Sequence, residues 1–302
     1  MNDRIFVTGA TGFIGGSVAQ RLAAAGKDIR GLTRSPEGAA LLESLGIRPV
    51  VGQLSDAALL AQEARAADVV INAADADDRE AVDTLIQALA GTGKTLIHTS
   101  GSSIVTDDAG GEPGDAVYTD IPEHPVPGKA ARVAIDRRVL AAAAVNIRSV
   151  VICPTMIYGP GRGPTTQSQQ IPALLRHARA AGISHYVGRG LNRWSNVHID
   201  DVTELYVLAL HKAAPGSFFF AENGEATLLE IARGIARHLG VSGPDSLSLE
   251  AASQVWEPAA VRYGFGSNSR VRAERARQDL GWSARHSSIF HDLPREAGLY
   301  RT

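Results

Sequence analysis

The 302-residue chain holds a single cysteine, Cys153. One cysteine cannot form an intrachain disulfide, so the chain is not a small secreted scaffold held together by such bonds. Neither sign of charge is in excess, because 30 lysine and arginine residues stand against 32 aspartate and glutamate residues. That balance gives no general attraction to nucleic acid or to an acidic membrane surface, and we expect neither as a partner.

Long apolar runs are also missing. No stretch approaches the roughly 18 apolar residues that mark a membrane-spanning helix. The apolar segment after Arg4 ends at a glycine within a few residues, which is too short for a secretory signal. We therefore expect a soluble, cytoplasmic protein. Apolar residues still make up 44% of the chain, which is enough to build a large core.

Short β-branched runs alternate with segments of helical spacing through the first half of the chain. Strands are predicted at residues 4–8, 28–33, 48–51, 68–72, 95–99 and 148–153. Helices are predicted at residues 14–25, 39–45, 57–66, 79–90 and 130–144. Apolar strands that alternate with helices are typical of an α/β fold with a Rossmann-type, doubly wound parallel sheet.

The pattern changes after residue 100, where a long segment rich in proline, glycine and acidic residues begins. We assign residues 1–157 to a dinucleotide-binding Rossmann domain. Residues 158–302 are expected to form mainly a smaller C-terminal substrate-binding lobe. The apolar run at 217–221 is predicted to return to the sheet of the first domain. Helix punctuation supports these boundaries, because Ser35 before Pro36 and Thr227 before Glu230 are typical of helix N-termini.

The clearest motif is TGATGFIG at residues 8–15, between the first strand and the first helix. Gly9 permits a tight turn, Gly12 lets the backbone approach a pyrophosphate, and Gly15 lets the helix pack closely on the sheet. The free N–H groups at the helix start then face the phosphate charge. The residues predicted to contact the cofactor here are Gly9, Thr11, Gly12, Phe13, Ile14 and Gly15.

The end of the second strand indicates which cofactor is bound. An acidic residue there would hold the ribose 2′-hydroxyl of NAD, whereas an arginine accommodates the 2′-phosphate of NADP. Here Arg34 and Ser35 follow the strand, and no acidic residue does. A cation at a helix N-terminus is poorly placed without an anionic partner. The sequence therefore predicts NADP(H).

Further motifs lie at the ends of the later elements. They are GQLSD at 52–56, NAA at 72–74, TSGS at 99–102, CPTMIYGPG at 153–161, WSNVHIDDV at 194–202 and LGW at 280–282. With TGATGFIG, they resemble the extended short-chain dehydrogenase/reductases of the NAD-dependent epimerase/dehydratase family over nearly the whole chain. The resemblance implies further cofactor contacts along the adenine, the ribose and the nicotinamide, from Leu54, Asp56, Ala73, Ala74, Ser100, Pro154, Thr155 and Met156.

The resemblance breaks at the residues that carry proton transfer. The family uses a Tyr-x-x-x-Lys pair with a Ser or Thr after the fifth strand, and lysine is scarce here, with four residues in the chain. Lys129 has Pro125 four residues before it. If the following helix sets the register, the pair falls on Gly128 and Arg132. Gly101 takes the position of the hydroxyl residue, so the chain resembles an atypical subgroup.

Other side chains are candidates for the missing roles. Ser102 and Tyr158 are predicted as substrate contacts near the nicotinamide. Arg132 either replaces the lysine near the nicotinamide ribose or forms an ordinary ion pair with Asp136, four residues later on the predicted helix. The histidine spacing matches no zinc site, and we expect no metal.

These features lead to three functional hypotheses. The first is an NADP(H)-dependent oxidoreductase that acts on a small carbonyl-type or imine-type substrate without the Ser-Tyr-Lys triad. The second is a non-catalytic NADP(H)-binding regulator. Sugar-nucleotide epimerisation or dehydration is disfavoured, because it normally requires the missing tyrosine.

The alanine-rich helix at 130–144 could form a homodimer contact or lie buried. An acidic cluster at residues 75–78 favours either a cationic substrate or a solvated loop.

Overall fold

The computed structural model describes residues 3–298, so the outermost residues of the two predicted parts, 1–2 and 299–302, lie outside it. The strands are β1 Arg4–Thr8, β2 Asp28–Thr33, β3 Arg48–Val51, β4 Val69–Asn72, β5 Thr95–Thr99, β6 Arg148–Pro154, β7 Met156–Tyr158, β8 Ile183–Val187, β9 Arg193–His198, β10 Ser217–Ala221, β11 Glu225–Thr227 and β12 Ser242–Leu247.

The helices begin and end close to the predicted limits in the first half of the chain. They are α1 Phe13–Ala24, α2 Pro36–Ser44, α3 Ala57–Ala66, α4 Arg79–Leu89, α5 Ala130–Ala141, α6 Gln170–Ala181, α7 Ile199–Lys212, α8 Leu228–Leu239, α9 Leu249–Ala252, α10 Pro258–Ala260, α11 Glu274–Leu280 and α12 Ile289–Gly298. A π-helical turn at Val261–Phe265 follows α10.

Side-chain caps explain where several helices start. Ser35 Oγ accepts a hydrogen bond from the backbone N–H of Gly38 and begins α2, as predicted. Asp56 and Asp78 begin α3 and α4 in the same way. Thr227 and Glu230 form the predicted capping box of α8. Each cap satisfies an N–H group that has no partner inside its helix.

Seven parallel strands form the central sheet, in the order β3-β2-β1-β4-β5-β6-β10. The strand order reverses between β1 and β4, so the crevice at their carboxyl ends is the usual ligand site of such sheets. The predicted α/β fold with a Rossmann-type sheet is confirmed. β10 pairs with β6 and forms one edge of the sheet.

Apolar side chains cover both faces of the central sheet. Ile5 and Val7 of β1 pack on one face in a core with α1, α7 and α11, and Phe6 packs on the other face with α3, α4 and α5. This alternation explains why the strands read as nearly continuous apolar runs. Among residues 3–298, no helix combines the length and apolar character needed to cross a bilayer.

A second layer lies beyond the carboxyl ends of β5 and β6. It contains a three-stranded sheet of β11-β9-β7 and a two-stranded sheet of β12-β8. Residues from α6, α8 and α12 pack with these strands in a third core. This layer closes one side of the crevice.

Candidate cofactor and substrate site

The turn between β1 and α1 brings the backbone into close contact with the end of β4. Gly9 has a φ of +68°, and a Cβ on it would collide with the carbonyl oxygen of Ala73. A Cβ on Gly15 would collide with the Gly9 carbonyl oxygen. Gly12 is the N-cap of α1 and offers no side chain to the first N–H groups of that helix. These N–H groups and the helix dipole fit the pyrophosphate of a dinucleotide.

An outer cavity of about 510 Å³ lies beside this turn. Arg34 is exposed at its edge and has no ion-pair partner within the described residues. Ser35 and Asp56, which we predicted as cofactor contacts, point their oxygens at the helices they cap. The cavity is lined by Gly9, Thr11, Gly12, Leu32, Thr33, Arg34, Gln53, Leu54, Ser55, Ala73, Ala74, Asp75 and Asp78.

An inner cavity of about 380 Å³ adjoins the outer one, because Gly12, Ala73 and Ala74 line both. Its other lining residues are Phe13, Ile14, Ala76, Thr99, Ser100, Gly101, Pro154, Thr155, Ile157, Ser168, Gln169 and Gln170. Ser168 and Gln169 precede α6 and Gln170 is its first residue, and sequence reasoning missed all three because nothing local marks them as pocket residues. The two cavities together form one groove.

Four of the predicted site residues are buried and line neither cavity, Gly15 among them. Met156 packs in the third core. Ser102 is covered by Ser269, whose Oγ lies 3.0 Å from the Ser102 Oγ. Tyr158 is fully buried with its ring edge against His198, and its hydroxyl has no hydrogen-bond partner in the described part of the chain. Burial raises the pKa of the Tyr158 hydroxyl, which keeps it protonated.

Arg132 is not a lining residue of the inner cavity but lies beside Gly101, which is. Its Nη1 is 3.6 Å from the position that a Cβ on Gly101 would occupy, and the same nitrogen is 3.2 Å from Ser103 Oγ. The guanidinium forms a two-point ion pair with Asp77, which follows β4. The hydrogen bond from Arg132 holds the pKa of Asp77 below its usual value. Arg132 therefore pairs with Asp77, and Asp136 has a different partner.

Asp136 belongs to a buried polar cluster that sequence reasoning did not predict. Ser100 Oγ donates a hydrogen bond to Asp136 Oδ2 at 2.6 Å, and His98 Nε2 lies 3.7 Å from Asp136 Oδ1. Burial lowers the pKa of His98 to about 4 and raises the pKa of Asp136 to about 7. The one feature of the sequence that pointed to this cluster is the position of Asp136, a single helical turn after Arg132.

Gly128, one of the two positions expected to align with the family's tyrosine, is packed against Tyr263. A Cβ on Gly128 would collide with the hydroxyl and ring of Tyr263, from the π-helical turn after α10. Lys129 Nζ lies 5.1 Å from the centroid of that ring. The contact joins residues 135 positions apart in sequence, and no local pattern could have predicted it.

The acidic side chains after β4 have structural partners. Asp75 accepts a hydrogen bond from the Asp77 N–H, Asp77 pairs with Arg132, and Asp78 begins α4. The described residues also include one group with atoms placed as metal ligands, namely His198, Asp200 and His286.

The groove can be compared with known proteins. The sequence profile of the NAD dependent epimerase/dehydratase family matches residues 5–219. The chain belongs to that family. A dTDP-glucose 4,6-dehydratase of Bacillus anthracis, solved in complex with NAD, has the same fold, with a TM-score of 0.77, 19% identity, and coverage of 99% of this chain and 96% of that one.

Two relatives are similar over nearly their full lengths. An oxidase of an Acremonium species is 31% identical over 93% of both chains. A 4-hydroxy-2-methyl-3-oxo-4-farnesyl-3,4-dihydroquinoline-1-oxide ketoreductase of Stigmatella aurantiaca is 25% identical over 98% of this chain and 96% of its own. Both names describe oxidoreductases. Together with the NAD dependent family profile, they support an oxidoreductase with a nicotinamide cofactor.

Proposed function

We propose that the protein is an NADP(H)-dependent oxidoreductase that reduces a small carbonyl-type or imine-type substrate. The observation that carries this proposal is the groove itself. Its outer cavity suits the adenosine end of a dinucleotide, and its inner cavity has room for a nicotinamide ring with a small molecule beside it. The name of the Stigmatella relative, a ketoreductase, supports a carbonyl substrate.

Arg34 supports NADP(H) over NAD(H). It lies at the edge of the outer cavity, directly after β2, where the 2′-position of the adenosine ribose is expected. A guanidinium binds a phosphate through two parallel hydrogen bonds, whereas it gains little from a hydroxyl. No carboxylate in the described part of the chain neutralises Arg34, so its charge is available to a ligand.

The residues of the inner cavity have separate roles in this proposal. When bound, the dihydronicotinamide supplies a hydride to the substrate. Phe13, Ile14 and Ile157 provide apolar walls for the ring and keep water away from it. Gln169 can donate a hydrogen bond to the oxygen or nitrogen of the substrate, on which negative charge develops during reduction. Ser100 can do so when Asp136 is protonated and donates to Ser100 Oγ, because the single hydroxyl proton otherwise goes to the Asp136 carboxylate. Thr155, at the end of β6, is fixed by its hydrogen bond to the Ala221 carbonyl.

The test is oxidation of NADPH in the presence of aliphatic aldehydes, β-keto esters and cyclic imines, followed at the absorbance of the reduced nicotinamide. We expect turnover with at least one of these classes and a slower rate with NADH. Tight NADPH binding without turnover on any of them would contradict the proposal.

A non-catalytic, NADP(H)-binding regulator is the second candidate. It is favoured by Gly101 at the expected hydroxyl position and by the expected tyrosine position, which falls on Pro125 or on Gly128 in the two registers considered. This candidate predicts cofactor binding without turnover, and capture of a protein partner that depends on NADPH. The same substrate panel therefore separates the two candidates.

A further inference from the structure

Ser100 connects the inner cavity to a buried carboxyl group. Ser100 is one of the residues that line the cavity, and its Oγ is 2.6 Å from Asp136 Oδ2. The backbone of Ser100 is held in place, because its N–H donates to the Ile152 carbonyl at 2.8 Å. Asp136 itself is fully buried, so this hydrogen bond is its connection to a molecule in the cavity.

The other oxygen of Asp136 faces a histidine whose protonation state the structure defines. Thr8 Oγ1 donates to Asn72 Oδ1 at 2.6 Å, which turns the amide so that Asn72 Nδ2 donates to His98 Nδ1 at 3.1 Å. The proton of neutral His98 is therefore on Nε2, 3.7 Å from Asp136 Oδ1. Neither of these two facing atoms has a hydrogen-bond partner in the described residues. A carboxylate with one unpaired, buried oxygen is poorly solvated, which favours the neutral acid.

Charged and titratable groups face Asp136 from each neighbouring element. They are Arg132 on α5, Asp77 after β4, His98 on β5 and the Cys153 thiol on β6. Burial raises the pKa of Asp136, and the hydrogen bond from Ser100 and the charge of Arg132 lower it, with a resulting pKa of about 7. The group can therefore exchange a proton near neutral pH.

We propose that Asp136 and Ser100 form the proton relay that replaces the family's tyrosine, a conclusion that rests on the proposed reductase function. Hydride is added to the carbonyl carbon, and the nicotinamide is oxidised. When Asp136 is the neutral acid, its Oδ2–H donates to Ser100 Oγ across the same 2.6 Å contact, the reverse of the bond that the carboxylate accepts, and the Ser100 O–H is then free to donate to the substrate. As the C=O double bond becomes a C–O single bond, Ser100 Oγ gives its proton to the substrate oxygen and takes the proton of the Asp136 carboxyl. After product release, a proton from solvent returns to Asp136 through Ser100.

The relay needs both members. A serine hydroxyl is too weak an acid to protonate a substrate alone, because an alkoxide would remain; a carboxyl that reprotonates it in the same step avoids that ion. The protonation state of Asp136 also sets the direction of the reaction. The neutral acid supports reduction, and the carboxylate, which accepts a proton from Ser100, supports oxidation of the alcohol.

The test compares the wild-type protein with Ser100→Ala and Asp136→Asn in NADPH oxidation with the carbonyl panel. We expect each variant to lower kcat about 100-fold or more, with the Kd for NADPH unchanged. The wild-type reduction rate is expected to fall as pH rises through about 7, and the residual rate of Asp136→Asn to lack that fall. A solely structural role for Asp136 would not produce a pH-dependent difference.

Two controls accompany these variants. Ser149→Ala removes another fully buried serine that contacts α5, outside the cavity, and should leave kcat unchanged. Tyr263→Phe tests the hydroxyl packed against Gly128. If the wild type is active and Ser100→Ala and Asp136→Asn retain its rate, the relay is wrong while the proposed function stands. A decrease in kcat that is found only in Tyr263→Phe would also overturn the relay. If the wild type reduces nothing, both proposals fail.

A measurement without substrate tests the state of Asp136 directly. Infrared difference spectroscopy on a pH change should show the C=O stretch of a protonated, buried carboxyl that titrates near pH 7 and is absent in Asp136→Asn. The same band in both proteins, or none in the wild type, would overturn the relay whatever the substrate is.

Discussion

Two glycines distinguish this site from the pattern of its family, and the space beside each is used by a distant side chain. Arg132 Nη1 approaches Gly101, and the Tyr263 hydroxyl lies against Gly128. Gly101 is expected at the family's hydroxyl position, and Gly128 at one of the two expected positions of its tyrosine. The first glycine is approached by a guanidinium that is paired with Asp77, and the second by a tyrosine from elsewhere in the chain.

Replacement of Gly9 by alanine tests the close packing of the cofactor turn. In Gly9→Ala, the alanine would be strained by the backbone φ of +68°, and its Cβ would collide with the Ala73 carbonyl. Gly46→Ala is the matched control, because Gly46 has a φ of +74° and open space around its Cβ position. We expect the control to cost about 1 kcal/mol in unfolding free energy and Gly9→Ala to cost clearly more. Urea denaturation measures both, and equal losses would contradict the packing argument.

The buried carboxyl of Asp136 should make stability depend on pH. Its pKa is raised by burial from 3.8 to about 7 in the folded protein. Between these two pKa values, the folded protein keeps a proton on Asp136 that the unfolded chain has lost. The contribution of Asp136 to the unfolding free energy is therefore complete at low pH and is lost as pH rises to about 7. One pKa unit corresponds to roughly 1.4 kcal/mol. The Tm of Asp136→Asn relative to wild type should thus increase from mildly acidic to mildly basic pH, and a constant difference would contradict the raised pKa.

At the scale of elements, local signals explain the first half of the chain. Strands β1, β2, β3 and β5 have the predicted bounds, because apolar β-branched runs and flanking glycines define them locally. The segment between β5 and α5 had no such signal. Its course depends on contacts with residues more than 150 positions later, such as the hydrogen bonds between Asp107 and Asn268 and between Tyr118 and Arg270.

The capping box of α8 offers a test at this scale. Thr227→Ala removes the side-chain oxygen that accepts from the Glu230 N–H, and we expect a loss of about 1 kcal/mol in unfolding free energy. Thr84→Ala, in the interior of α4, removes a threonine whose hydroxyl bonds only the carbonyl one turn back. That control should be neutral or slightly stabilising, since alanine favours helix. Chemical denaturation of both variants is sufficient, and equal effects would show that the cap has no special role.

At the scale of the whole molecule, sequence reasoning predicted the sheet and the glycine turn after β1, but not the buried polar contacts beside them. The turn is local, since its glycines lie within seven residues of one another. The Arg132–Asp77 pair joins residues 55 positions apart, and the Ser100–Asp136 bond joins residues 36 apart. Both depend on how α5 packs against the parallel strands, which no residue spacing reveals.

The measurement that tests the account most directly is a fluorescence titration of the protein with NADPH and with NADH, beside Arg34→Ala. We expect NADPH to bind more tightly than NADH, and Arg34→Ala to weaken NADPH binding about tenfold while NADH binding stays the same. Arg48→Ala is the control, because Arg48 is a similarly exposed arginine on the outermost strand of that edge and pairs with Asp28. Equal affinities for both cofactors, unchanged in Arg34→Ala, would contradict the NADP(H) assignment.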